Sequence, residues 1–412
     1  MSSGARALVR DLYFIVFLSL VLGIYVLANG YIFVRGWQVF SWIGWNRYWA
    51  AGVFFALALT YPFSRLSEGW VPASVTETSN LLGAFYLAAM LYLFLATLAI
   101  DLIRLAGHLL PLSPGFLRAS PHGAHRLLSL GVVAGVTGLI WLGHLNALNV
   151  RVRTLELSIP KRAGGLRSLN IVVASDLHLG KIIGNSRLGS IVAKINELKP
   201  DLVLLPGDVV DESADHLRDE ETIRRLLEIE SAYGVFAVTG NHEYYANLPA
   251  TVAELEKGNV TVLQDAWVKI GDSFYLVGRK DRTAERYGGG RRPLGEILDG
   301  VDRRCPMILM DHQPFHLEEA KDNGIDLQLS GHTHHGQLFP FNLVTRLVYE
   351  LSWGYLKKDK THYYVSSGVG TWGPPVRIGS VPEIVQIRLN FEPGGPESGS
   401  GPEETELHVD RR

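Results

Sequence analysis

Five groups of residues with metal-binding side chains follow one another along the second half of this chain. They are Asp176-Leu177-His178, Gly207-Asp208, Gly240-Asn241-His242-Glu243, His312 and Gly331-His332-Thr333-His334. Each stands just after a short apolar run of the kind that forms a buried strand. Loops leaving one edge of a sheet converge, and open α/β sheets place their ligands there. Asp176 and His178 are two apart, so in extended chain both side chains point the same way, as do His332 and His334. Gly207 has no side chain and lets the backbone turn tightly before Asp208. A carboxylate has two oxygens, so Asp208 can bridge two ions. Asn241 offers a neutral oxygen where a further charge would overbind a metal. With His312 the donors are Asp176, His178, Asp208, Asn241, His312, His332 and His334, enough to hold two ions side by side. Mixed nitrogen and oxygen donors suit two divalent Mn, Fe or Zn ions better than Ca or Mg. The chemistry expected of such a pair is phosphoester hydrolysis. Each group alone is weak, since Gly-Asp is a common turn and a lone His after a strand is usually structural. The joint order carries the reading.

The elements that position these groups are short. Strand-like runs rich in Val, Ile, Leu and Tyr are predicted at 169–174, 202–205, 235–239, 274–277, 307–310, 327–329, 363–365 and 384–389. Helical spacing of apolar residues marks 186–198 and 219–231. The order begins β-α-β-α-β and then becomes mostly strands, which predicts two packed sheets with helices outside. The Arg-rich segment 282–292 around Gly288-Gly289-Gly290 reads as a solvated loop. Cys305, the only cysteine, reads as a core-edge residue, and His316 and His335 as non-ligands. The tail 392–412 is rich in Gly, Pro, Ser and Glu and is expected to be disordered.

The first 150 residues have a different composition. Spans of about 20 apolar residues, enough to cross a bilayer as helix, are predicted at 12–34, 45–63, 81–103 and 127–148. Trp37, Trp42, Trp45, Tyr48, Trp49 and Tyr61 cluster around the second, as an interfacial belt would. The polar residues Asn29, Asp101, His144 and Asn146 are placed within about two turns of helix ends, which predicts an anchor rather than a transport path. A linker is expected at 151–168, then a catalytic domain at 169–391. Arginines flanking the spans are divided evenly between the two faces, so the side of the membrane is unassigned. A multi-pass protein of the cell (inner) membrane is expected. The 39 basic and 41 acidic residues give no field that points to nucleic acid.

The motifs Ser175-Asp176-Leu177-His178-Leu179-Gly180, Gly207-Asp208-Val209-Val210-Asp211, Thr239-Gly240-Asn241-His242-Glu243, His312-Gln313-Pro314, Ser330-Gly331-His332-Thr333-His334 and Gly370-Thr371-Trp372-Gly373-Pro374-Pro375-Val376-Arg377 together resemble the calcineurin-like metallophosphoesterase superfamily. The nearer similarity is to its membrane-associated bacterial YkuE/YaeI-like group. The resemblance implies a four-layer αββα sandwich. It implies one metal on Asp176, His178, Asp208 and His334, and another on Asp208, Asn241, His312 and His332. A hydroxide bridging the metals would attack phosphorus in line. His242, not needed as a ligand, is assigned to the leaving group, with Asp211 orienting it. Two departures stand out: Glu212-Ser213 replaces the Arg-Gly of the protein-phosphatase branch, and His335 replaces the usual Gly after the last His-Thr-His. The expected substrate is a phosphomonoester, phosphodiester or pyrophosphate, with lipid- or envelope-linked compounds among the candidates. The rival readings are a catalytically silent membrane sensor or scaffold of the same fold, and a transporter with a regulatory domain.

Overall fold

Alternating burial along the strands decides the architecture of the second half. Ile171 and Val173 share one buried cluster with Leu202, Leu204, Leu276, Ile308 and Met310. Their chain neighbours Val172, Ala174, Val203 and Leu205 share another with Leu188, Ile191 and Ile195. Successive side chains point to opposite faces of a sheet, so a strand apolar on both faces must be covered on both. The computed structural model describes residues 3–43, 46–109, 122–287, 289–392 and 406–408. It divides into two units, 1–144 with 374–376, and 145–373 with 377–412.

Among the described residues of the first unit the helices are α1 (Ser3–Ile43), α2 (Arg47–Leu66), α3 (Ala73–Leu109) and α4 (His122–Leu148, whose last turn belongs to the second unit). Among the described residues three stretches, Ser19–Gln38, Ala73–Gly107 and Leu127–Leu148, are long and apolar enough to cross a membrane. The second predicted span forms α2, which carries Arg47, Arg65 and an internal Pro62 and is not among them. Leu27, Trp49, Leu105 and Trp141 are exposed, as lipid-facing side chains would be. The placement of Asn29 near a helix end is corrected, because α1 runs past the predicted limit at 34. Asn29 lies mid-helix, buried, accepting from the Tyr86 hydroxyl and donating to Met90 Sδ at 3.0 Å. Asp101 likewise ties α3 to α1 through Arg35 at 2.6 Å. These polar groups glue helices together. Of the aromatic belt, Trp45 and the Trp42 side chain lie outside the described residues.

In the second unit one sheet holds β1 (Arg151–Ile159), β2 (Ser168–Val173), β3 (Leu202–Pro206), β4 (Val235–Val238), β5 (Val260–Leu263) and β12 (Glu383–Phe391), in the order β1-β12-β2-β3-β4-β5. The other holds β6 (Ala266–Ile270), β7 (Phe274–Gly278), β8 (Met307–Met310), β9 (Leu327–Ser330), β10 (Gly354–Lys358), β11 (Thr361–Val365) and β13 (Glu406–His408), in the order β10-β11-β9-β8-β7-β6-β13. The main core lies between the sheets. Outside the first pack α5 (Asn185–Glu197), α6 (Glu220–Leu227) and α8 (Leu248–Lys257), with the short α7 (Asn241–Tyr245) at the end of β4. Outside the second pack α9 (Leu294–Ile297) and α10 (Leu317–Asp322), and α11 (Phe341–Val348) follows β9. This is the αββα sandwich. The pairs β2–β3, β3–β4 and β8–β9 are parallel, so the loops bearing Asp176, Asp208, Asn241, His312 and His332 all leave C-terminal strand ends.

The segment read as a linker, 151–168, instead begins with β1. Its Arg, Thr and Glu side chains are exposed on an edge strand, so the apolar signal is confined to Leu155, Leu157 and Ile159. The tail expected without structure contributes β13, paired with β6, and 393–405 lie outside the described residues. So does Gly288 of the Arg-rich loop. Cys305 is half-buried against the cluster under the second sheet, as a core-edge residue would be.

Candidate metal centre

The structure brings the seven expected donors to one place. Asp176, His178 and His334 form one group of mutually close ligand atoms, and Asp208, His312 and His332 form another. His178 Nε2 faces His334 Nε2 at 3.0 Å. Asp208 Oδ2 lies 3.0 Å from His312 Nε2 and 3.9 Å from His178 Nε2, between the groups. Asn241 Oδ1 is 3.3 Å from His312 Nε2. A third group, His178, Asp208 and His242, overlaps both. His335 joins none of the three; its ring packs on Trp353, and exposed His316 pairs with Glu318.

Local backbone explains the convergence. Asp176, His178, Asp208, His332 and His334 all have φ between 47° and 70°. That left-handed region costs side-chain-bearing residues energy and persists only where the surroundings over-determine it. Here the loops brace one another: Asp176 N–H donates to Gly207 O (3.1 Å), His178 N–H to Asp208 O (3.0 Å) and Gly331 N–H to His312 O (2.9 Å). Gly207 has φ 89°, which meets the expectation of a tight turn before Asp208. Gly331 is required for space, since a Cβ there would collide with Ser175 Oγ and Asp176 Oδ2.

Two supporting residues were not given roles from sequence. The buried Glu243 carboxylate accepts from Gly240 N (2.6 Å), Val209 N (2.7 Å), Asp208 N (3.0 Å) and Val210 N (3.1 Å), locking the Gly-Asp turn to α7. The available signal was its place three residues after Gly240, where an acidic side chain reaches back to the start of a helix. Arg377, buried to 1 % exposure, donates to Gly370 O, Ser367 O, Gly368 O and His334 Nδ1 (3.2 Å). It thereby leaves His334 Nε2 for the site, as Pro206 O at 2.8 Å from Nδ1 does for His312.

The electrostatics suit cation binding. Asp176 Oδ2 is buried without a hydrogen-bond partner, and burial pushes its carboxyl upward. Burial, with the charge of His178 and Arg377, pushes His334 well down, leaving a neutral nitrogen. Burial and the charge of His312 lower His332 to about 4. Against burial, the charge of His312 and its hydrogen bond hold Asp208 well below the ordinary carboxylate range. Burial opposes charge on His242, yet the hydrogen bond of Asp211 and the charges of Asp208 and Asp211 raise it to about 9. Its Nδ1 lies 2.6 Å from Asp211 O and 3.1 Å from Asp211 Oδ1, which itself lies 3.4 Å from His178 Nδ1. Carboxylates and the neutral imidazoles of His332 and His334, with an orphaned buried oxygen on Asp176 among them, fit a divalent cation.

Comparison with known proteins decides the family. A profile for calcineurin-like phosphoesterases matches residues 169–336. An uncharacterised metallophosphoesterase of Campylobacter jejuni is 31% identical over 393 residues, 91% of this chain and 98% of that protein. The chain belongs to the calcineurin-like metallophosphoesterase family. An uncharacterised metallophosphoesterase of Helicobacter pylori is 32% identical over 277 residues, 66% of this chain and 73% of that protein. A transmembrane protein with a metallophosphoesterase domain from Bos taurus is 35% identical over 273 residues, 62% of this chain and 61% of that protein. With three helices among the described residues long and apolar enough to cross a bilayer, this metallophosphoesterase is a membrane protein carrying clustered His and Asp side chains suited to divalent metal.

Proposed function

We propose that the protein is a membrane-anchored phosphoesterase with two divalent metal ions, Mn, Fe or Zn, hydrolysing a phosphomonoester, phosphodiester or pyrophosphate bond. The observation that supports this most is the position of Asp208, whose Oδ2 reaches toward His312 and His178, members of two separate donor groups. Asp176, His178, Asp208 and His334 would hold one ion, and Asp208, Asn241, His312 and His332 the other. Ions held by these residues would supply an activated water nucleophile and offset charge building on the phosphoryl oxygens. His242, with Nδ1 engaged by Asp211 and protonated at neutral pH, presents Nε2 to the departing oxygen as proton donor. Asp211 positions that ring and His178 together. Arg377 and Glu243 hold the ligands without touching substrate. The apolar helices support a multi-pass anchor in a cell membrane, where lipid- or envelope-linked phosphoesters are concentrated.

The test is turnover of bis-p-nitrophenyl phosphate and p-nitrophenyl phosphate by the full chain in detergent, with added Mn and with chelator. Turnover that chelator abolishes is expected. No turnover of either compound with Mn, Fe or Zn would favour a silent sensor of the same fold.

A further inference from the structure

α11 has an unusual surface. None of its eight residues is buried, and Phe341, Leu343, Val344, Leu347 and Val348 are all exposed, Leu347 to 88 %. Phe339 just before it is exposed too. A soluble domain rarely leaves so continuous an apolar face to water. The only charge between residues 339 and 348 is Arg346, also exposed, the composition of a short helix that lies in a headgroup layer.

The helix is rooted beside the metal centre. Phe341 follows the donor His334 by seven residues. The intervening Gln337 side chain donates to Trp372 O and accepts from Trp372 N, both at 2.9 Å. Trp372 is 59 % exposed, and its ring centroid lies 6.2 Å from that of His242. Backbone bonds between Phe339 and Ile378 (2.6 Å) and between Ile378 and Gln337 (2.9 Å) fix the base of the helix. One continuous rim thus joins an exposed Trp, a residue type that favours the headgroup level, to an apolar helix at the mouth of the site.

We propose that α11 and Trp372 dock into a lipid surface and open the metal centre to phosphoesters carried by amphiphiles in that surface. Two observations select a bilayer as the occupant. Only Asn149 and Val150 separate a helix able to cross a membrane from β1, so a bilayer is within reach of this domain. The lone Arg346 complements anionic headgroups, whereas no acidic residue between 339 and 348 opposes them. The substrate class rests on the hydrolase reading; the docking does not.

The experiment uses the full chain with Cys305→Ser and Leu347→Cys, the new thiol carrying a nitroxide, in vesicles of phosphatidylethanolamine and phosphatidylglycerol. Glu256→Cys, on the exposed side of α8, is the control. Collisions with oxygen, which partitions into lipid, are compared with collisions with a water-soluble nickel chelate. The expected result is an oxygen-to-nickel ratio several-fold higher at 347 than at 256. Equal ratios would overturn the proposal. So would a label immobilised and shielded from both, which would place a second copy or other helices of the chain against α11. Turnover of bis-p-nitrophenyl phosphate by the same labelled protein is read separately, so loss of that activity counts against the hydrolase reading and not against the docking.

Discussion

His242 is the residue on which donor chemistry and acid chemistry part company. It is close enough to His178 and Asp208 to belong to a donor group, yet its Nδ1 is engaged by Asp211 and its proton is held to about 9. A group with a raised value acts as an acid below that value and ceases to do so as pH rises through it; bound cations would move that point downward. His242→Ala is therefore expected to keep its metal and lose ~10²–10⁴ in rate on an unactivated ester. The alkaline fall in rate expected of the parent protein should be absent from the variant. Full activity in the variant would remove His242 from the reaction. The donors were legible in the sequence because Asp, Asn and His groups, each weak alone, recur in one order at the ends of strand-like runs. Glu243 and Arg377 were not, because their roles exist only once carbonyls and N–H groups from separate loops meet one side chain.

At the scale of elements, the loops after β2 and β9 are held against each other with no room to spare. Gly331→Ala would push a methyl into Ser175 Oγ and Asp176 Oδ2, displacing a proposed ligand without removing one. Metal affinity is expected to fall about 10-fold or more by calorimetric titration, the scale seen when groups supporting ligands are altered. Wild-type affinity would show that these loops have slack. All eight strand runs read from sequence are strands in the structure, because strands buried on both faces appear as unbroken apolar runs. The ones missed, β1, β5, β6, β10 and β13, alternate with polar residues or lie at sheet edges. In β10 the burial alternates along Gly354–Lys358, with Tyr355 and Lys357 exposed. The helix predicted at 219–231 ends at Leu227 instead, where Glu228 caps it and Asn196 Nδ2 binds Glu228 O at 2.7 Å.

At the scale of the molecule, the two halves obey different solvents. The first buries polar groups between helices and exposes Leu and Trp; the second buries apolar strand faces between and outside its sheets. Asn29 escaped a reading by composition because a single Asn in an apolar run says nothing about the Tyr86 that meets it across helices. What joins the halves into one function is the claim that the distant donors hold a pair of ions. The most direct measurement is elemental analysis of the full chain, loaded with Mn, Fe or Zn and freed of excess, beside Asp208→Asn treated identically. Two ions per chain are expected for the parent, and loss of metal for the variant, whose amide is a poor bridge. No stoichiometric transition metal in the parent, or two retained in Asp208→Asn, would contradict the account.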